Sequence, residues 1–144
     1  MAGIYREAMM TRHGWRCHIT MMAHTFVGKD DQAIQEIAEP AMTRYLDVNL
    51  EMQKAHSVGM AAERGFDQLS TSESRFIIKS QVNNDLRGPL SFVGTLEHCA
   101  LRAEYLSSIG VDEIACLIDF GIGFDDVMAS LGRLAILIQS SGSK

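Results

Sequence analysis

Residues 16–27 read RCHITMMAHTFV, and the fold turns on how this stretch is read. It is rich in residues that favour extended backbone, and its side chains alternate. On a period of two, His18, Thr20, Met22, His24 and Phe26 share one side, while Cys17, Ile19, Met21, Ala23, Thr25 and Val27 share the other. Both sides carry apolar groups. That pattern predicts a strand covered on both faces, as in a parallel sheet flanked by helices.

The flanking sequence supplies those helices. Residues 4–13 form a short helical stretch that ends at Gly14. After the strand, Gly28-Lys29-Asp30-Asp31 gives a turn and an N-cap. A helical stripe follows in Ile34, Ile37, Ala38, Ala41, Tyr45 and Leu46 and runs to about His56. Pro40 lies inside it and predicts a kink or a restart, because proline removes a helical hydrogen bond. Residues 57–69, with Gly59 and Gly65, have no clear period.

Ser70 and Glu73 form a capping-box pattern that opens a helix to about Leu86, closed by Arg87-Gly88-Pro89. Residues 90–93 are extended and lead into Gly94. Thr95 then caps a helix with the stripe Leu96, Cys99, Ala100, Ala103 and Leu106. Gly110 stands where a left-handed helix end belongs. Residues 111–120 form another strand around Ile114-Ala115-Cys116-Leu117-Ile118. The loop Gly121-Ile122-Gly123 precedes a last helix, capped by Asp125 and carrying Val127, Met128, Leu131, Leu134 and Ile138. Strands separated by helices pair in parallel through right-handed crossovers. The expected class is α/β, in one domain.

Charge and composition narrow the function classes. The 144 residues fit one domain, and 47% hydrophobic with 22% charged residues excludes a disordered or fibrous chain. A net charge of −5 argues against a general nucleic-acid or anionic-membrane surface, which needs clustered Lys and Arg. Arg6, Arg12 and Arg16 are the nearest approach to a cluster and read as a solvated helix face. No apolar run reaches the roughly 18 residues of a membrane span. The N-terminus lacks the pattern of a signal peptide. Cys17, Cys99 and Cys116 are odd in number and sit among apolar neighbours, so they read as reduced, buried thiols of a cytoplasmic protein.

Three stretches together resemble a known family: HITMMAHTFVG at 18–28, followed by Asp30-Asp31 and a long helix; FVGTLEHC at 92–99; and GVDEIACLIDFGIGFDDV at 110–127. They are similar to the C-terminal portion of the luciferase-like, flavin-dependent monooxygenases, in particular the subgroup associated with polyketide and nonribosomal peptide synthesis. The third stretch is the most specific, since nothing structural obliges a parallel strand to read ACLIDFG.

The resemblance implies a (β/α)8 barrel that oxidises a substrate with reduced FMN and oxygen. Such a barrel takes about 250 residues and eight strands. This chain matches only the last quarter or so of the strands, so the expectation is a partial barrel-like unit of few parallel strands and several helices. A few strands cannot close, and open edges must be covered. The expected solution is a homodimer, or a chain supplying the missing strands. The function implied is a truncated or split flavin-dependent monooxygenase; the alternative is a non-catalytic, oligomeric binding or assembly protein.

Two residues are cofactor-pocket candidates under this resemblance. His24 lies towards the C-terminal end of its predicted strand, the side where barrel active sites collect. Its simpler reading is a hydrogen-bonded structural histidine. Asp119 follows the last strand and borders the glycine loop, with bracing of the turn as its simpler reading. A phosphate at that loop would meet Asp119, Asp125 and Asp126. No metal site is expected: His18 and His24 are about 20 Å apart along a strand, and His13, His56 and His98 lack ligand spacing with the cysteines. No catalytic residue is assigned. The nine methionines read as core filling.

Overall fold

The computed structural model describes residues 2–60, 70–88 and 90–141. Helix α1 (Ala2–His13) precedes the strand β1 (Thr20–Gly28). A short α2 (Asp31–Ala33), a π-helical turn (Ile34–Ala38) and α3 (Glu39–Met60) follow. Next come α4 (Thr71–Arg87), β2 (Phe92–Thr95), α5 (Leu96–Ser108), β3 (Glu113–Leu117) and α6 (Phe124–Ser141). No helix among the described residues is long and apolar enough to cross a membrane.

The three strands form one parallel sheet in the order β2-β1-β3. The chain leaves β1 in one direction to reach β2, then returns past β1 to reach β3. Right-handed crossovers in opposite directions place their helices on opposite faces. The two cores follow. Phe26 and Val93 pack with Met42, Ile78, Val82 and Leu86 of α3 and α4. Ala23, Val27 and Phe92 pack with Cys99, Leu106 and Leu137 of α5 and α6. A stretch of (β/α)8 barrel would instead keep its strands in chain order with every helix outside. The described sheet is open, and its helices lie on both faces.

Several local expectations match. Asp30 caps α2 by accepting from the Ala33 N–H at 2.8 Å, Ser70 and Glu73 form the full capping box, and Thr95 caps α5. Gly14, Gly110 and Gly121 have positive φ, where a side chain would be strained. At Pro40 the backbone solves its own problem. The π turn, with the Glu39 N–H bonded to the Ile34 carbonyl, shifts the ladder by one residue and restarts the helix at Glu39. Pro40 then sits in a first turn, where the missing N–H is tolerated.

Other expectations are corrected. Arg6 and Arg16 are not a solvated helix face: both pair with Asp112, Arg16 at 3.0 Å. Asp125 is not the cap of α6 but lies in its first turn, after Gly123 accepts from the Val127 N–H at 3.0 Å. Coverage of β1 on both faces holds for its second half only, since Met22 is 70% exposed. On that face the core packed with α3 and α4 takes in Phe26 but not Met22. Helix α3 continues through residues 57–60, while 61–69, Pro89 and the tail residues 142–144 lie outside the described residues.

Candidate functional site

In open parallel sheets, ligands collect beyond the C-terminal strand ends, at the crevice where the strand order reverses. Here that crevice lies between β1 and β3, because the chain leaves β1 on one side for β2 and then crosses back past β1 to reach β3 on the other. The sequence candidates His24 and Asp119 both border it.

His24 is the middle residue of β1, not one near its end, and pairs with Leu117, the last residue of β3. Its ring stands edge-on to Tyr45 at 5.2 Å and to Phe120 at 5.4 Å between centroids. Among the described residues its side chain has no hydrogen bond, so aromatic packing rather than a polar partner holds it. Asp119 is exposed and makes no hydrogen bond or ion pair among the described residues. Phe120, fully buried, ties the two positions together and fills the crevice. Gly121, at φ 92°, turns the chain over Ala41. Neither His24 nor Asp119 lines a described cavity.

Beyond the end of β3, α6 completes the edge of β1. The Ser130 hydroxyl accepts from the buried Val27 N–H at 2.8 Å, and Arg133 Nη1 donates to the Val27 carbonyl at 3.1 Å. Two side chains thus stand where a longer β3 would have bonded. The arrangement seals the crevice.

A second concavity, of about 420 Å³, opens at the C-terminal end of β2. Arg87, His98 and Arg102 give it a basic wall, opposed by Asp31 and Gln35. Arg102 Nη2 donates to the Arg87 carbonyl at 3.4 Å, and Arg87 faces Glu39 at 4.0 Å. Sequence reasoning missed this grouping, because Arg87 and Arg102 come together only across the β2–α5 turn. One signal was present: Gly94. A Cβ there would lie 2.9 Å from the His98 Cβ, so glycine lets α5 start directly against the strand.

Of the three free thiols, Cys99 is held protonated. Burial pushes the Cys99 thiol up to about 11, with Cys116 adding to the rise and Arg102 offsetting part of it. Among the described residues no group of three His, Cys, Asp or Glu side chains is placed to hold a metal ion.

The opposite, N-terminal end of the sheet carries a polar cluster. Asp112 accepts from the Ile19 N–H at 2.9 Å and from both arginines. Glu113 accepts from Thr20 at 2.8 Å and meets His18 at 3.2 Å. The Ile19 N–H, then Arg6, hold the Asp112 carboxyl below its ordinary range. Thr20, then His18, do the same for Glu113. These bonds pin residues 16–20 to the start of β3. No protein-family model matches this chain, and no curated protein is detectably similar to it.

Proposed function

We propose that this chain is a truncated or split homologue of the luciferase-like, flavin-dependent monooxygenases that works as part of a larger body. The observation that carries the reading is positional. The three stretches that resemble the family fall one on each parallel strand and the turn after it: β1 with its Asp30 cap, β2 running into α5, and β3 running into α6. Family chemistry in such a body is oxidation with FMN and oxygen, and cytoplasmic residence suits three unpaired cysteines.

The described residues do not by themselves make a flavin site. Phe120 and Tyr45 close His24 in, and Asp119 adds negative charge where a phosphate would be repelled. The basic concavity at Arg87, His98 and Arg102 suits an anionic group, and Ile34, Leu86 and Val93 give it apolar wall as well. No catalytic step is therefore assigned to this chain. A homodimer, or a chain supplying further strands, provides what is missing.

A second reading follows from the sealed crevice: a non-catalytic, oligomeric binding or assembly protein that keeps the fold pattern without the chemistry. Titration with oxidised and with reduced FMN separates the two, run with the protein's light-scattering mass. Saturation near one flavin per chain or per dimer is expected for the monooxygenase type. A folded oligomer that binds neither form sinks that reading and leaves the binding protein.

A further inference from the structure

The concavity beyond β2 gathers nitrogen donors from two helices. Arg87 is the last residue of α4, while His98 and Arg102 stand one turn apart on α5 and share a face of it. Arg102 is half-buried. Among the described residues it forms no ion pair with a carboxylate, and its one side-chain hydrogen bond is the 3.4 Å contact to the Arg87 carbonyl. It has given up part of its water without gaining a charged partner. Arg87 meets Glu39 only at 4.0 Å. His98 is bonded at Nδ1 to the Thr95 hydroxyl at 3.2 Å, and its Nε2 has no partner among the described residues.

The rest of the lining defines the ligand's shape. Ile34, Leu86 and Val93 are apolar, and Leu86 and Val93 are buried side chains of the core with α3 and α4. Asp31 and Gln35 oppose the basic wall. The Asp31 carboxylate repels an anion and so directs it towards the arginines, which leaves an uncharged body over the apolar residues. The volume of about 420 Å³ is that of a small-molecule site, for which about 300–1,000 Å³ is usual. Position agrees as well. Ligands of open parallel sheets collect outside the C-terminal strand ends, and Gly94 at the end of β2 lines this cavity.

We propose that this cavity binds the phosphate monoester of a small organic molecule, its phosphate held by Arg87, His98 and Arg102. Donor count selects phosphate over carboxylate. One guanidinium fork satisfies a carboxylate, whereas a phosphate monoester offers three terminal oxygens and close to two charges at neutral pH. Two forks and an imidazole match the larger acceptor. The inference does not rest on the flavin reading: FMN is one bearer of such a group, and the probe used below is not a flavin.

The test maps amide chemical shifts by NMR during titration with phenyl phosphate, which offers the anion on a small apolar ring. Saturable shifts are expected at Gln35, Gly94 and His98, with benzoate binding at least about tenfold more weakly. Arg102→Gln should weaken phenyl phosphate by about tenfold or more, as the loss of a charge-assisted bond does. Arg75→Gln, which removes a cation from the neighbouring cleft between α3 and α4, should leave its affinity unchanged. No saturation up to about 10 mM overturns the proposal. An equal loss in both variants, or benzoate binding as tightly, overturns it as well. Should Arg102→Gln not fold, the wild-type map decides, and shifts centred away from those three amides overturn the proposal. FMN added as competitor identifies the source. Displacement of the probe from the same amides upholds the site as one for the flavin's phosphate, and a probe left in place upholds it for a different ester.

Discussion

The two halves of β1 live in different environments, although one strand carries both. Thr25–Gly28 is buried throughout, paired to β2 on one edge and bonded to α6 side chains on the other. Thr20–His24 pairs with β3, exposes Met22, and is anchored at its start by carboxylates. The Thr25–Gly28 half is held by packing and desolvated hydrogen bonds, the Thr20–His24 half by polar pins in contact with water. Burial makes each interaction matter more, because a lost partner inside the protein is not replaced by solvent. The difference is testable by substitutions that act on one half at a time.

The largest effect is expected at Phe120, which touches His24 and belongs to the core formed with α3 and α4. Phe120→Ala removes a fully buried ring and leaves a cavity, and should cost about 3–5 kcal/mol in urea unfolding. A loss below about 1 kcal/mol would mean that the crevice is not sealed by packing. Ser130→Ala comes next. It leaves the Val27 N–H buried without its acceptor, so a loss of about 1–3 kcal/mol is expected. A negligible change would show that water reaches the edge of β1 there, and the contrast between the halves would weaken.

What the sequence made legible follows the same division. The strand starts at Thr20, not Arg16, but within it the alternation put Phe26 on one face and Met21, Ala23 and Val27 on the other correctly, because the period of a strand is a local property. The caps at Asp30, Ser70 and Thr95 were equally readable, since each bond spans three residues. Strand order was not. Nothing local says whether β3 returns to β1 or continues from β2, and that choice decides whether helices lie on one face or both. The pairing of Arg6 and Arg16 with Asp112 spans about a hundred positions and left no local sign either. At the site, His24 was placed at the correct strand but at the wrong depth. The stagger that makes it central depends on where β2 and β3 end.

The polar half should respond to acid. Asp112 and Glu113 have carboxyl groups lowered in the folded state. A lowered folded pKa contributes stability above the ordinary carboxylate range, and that contribution fades as pH falls through the lower, folded value. Thermal unfolding should therefore be flat at neutral pH and decline only as those carboxylates take up protons. Asp112→Asn, which removes the charge that Arg6 and Arg16 meet, should flatten part of that decline. An unchanged acid profile in the variant would place the sensitivity elsewhere.

The smallest effect belongs to Met22. Its side chain is 70% exposed on the face of β1 opposite α5 and α6, beside Ala115 in the register of β3. Exposed positions away from caps and buried networks usually change stability by less than about 0.5 kcal/mol. Met22→Lys is expected within that range by urea unfolding, far below the loss at Phe120 on the same strand system. A cost above about 1 kcal/mol would say that this face is covered in solution, since placing an ammonium against water costs little and against apolar neighbours a good deal. Repeating the measurement at low and high protein concentration locates the cover. A cost that appears only at high concentration comes from another chain lying on the sheet. A cost that is constant comes from this chain's own residues, and the first half of β1 would then be as enclosed as the second.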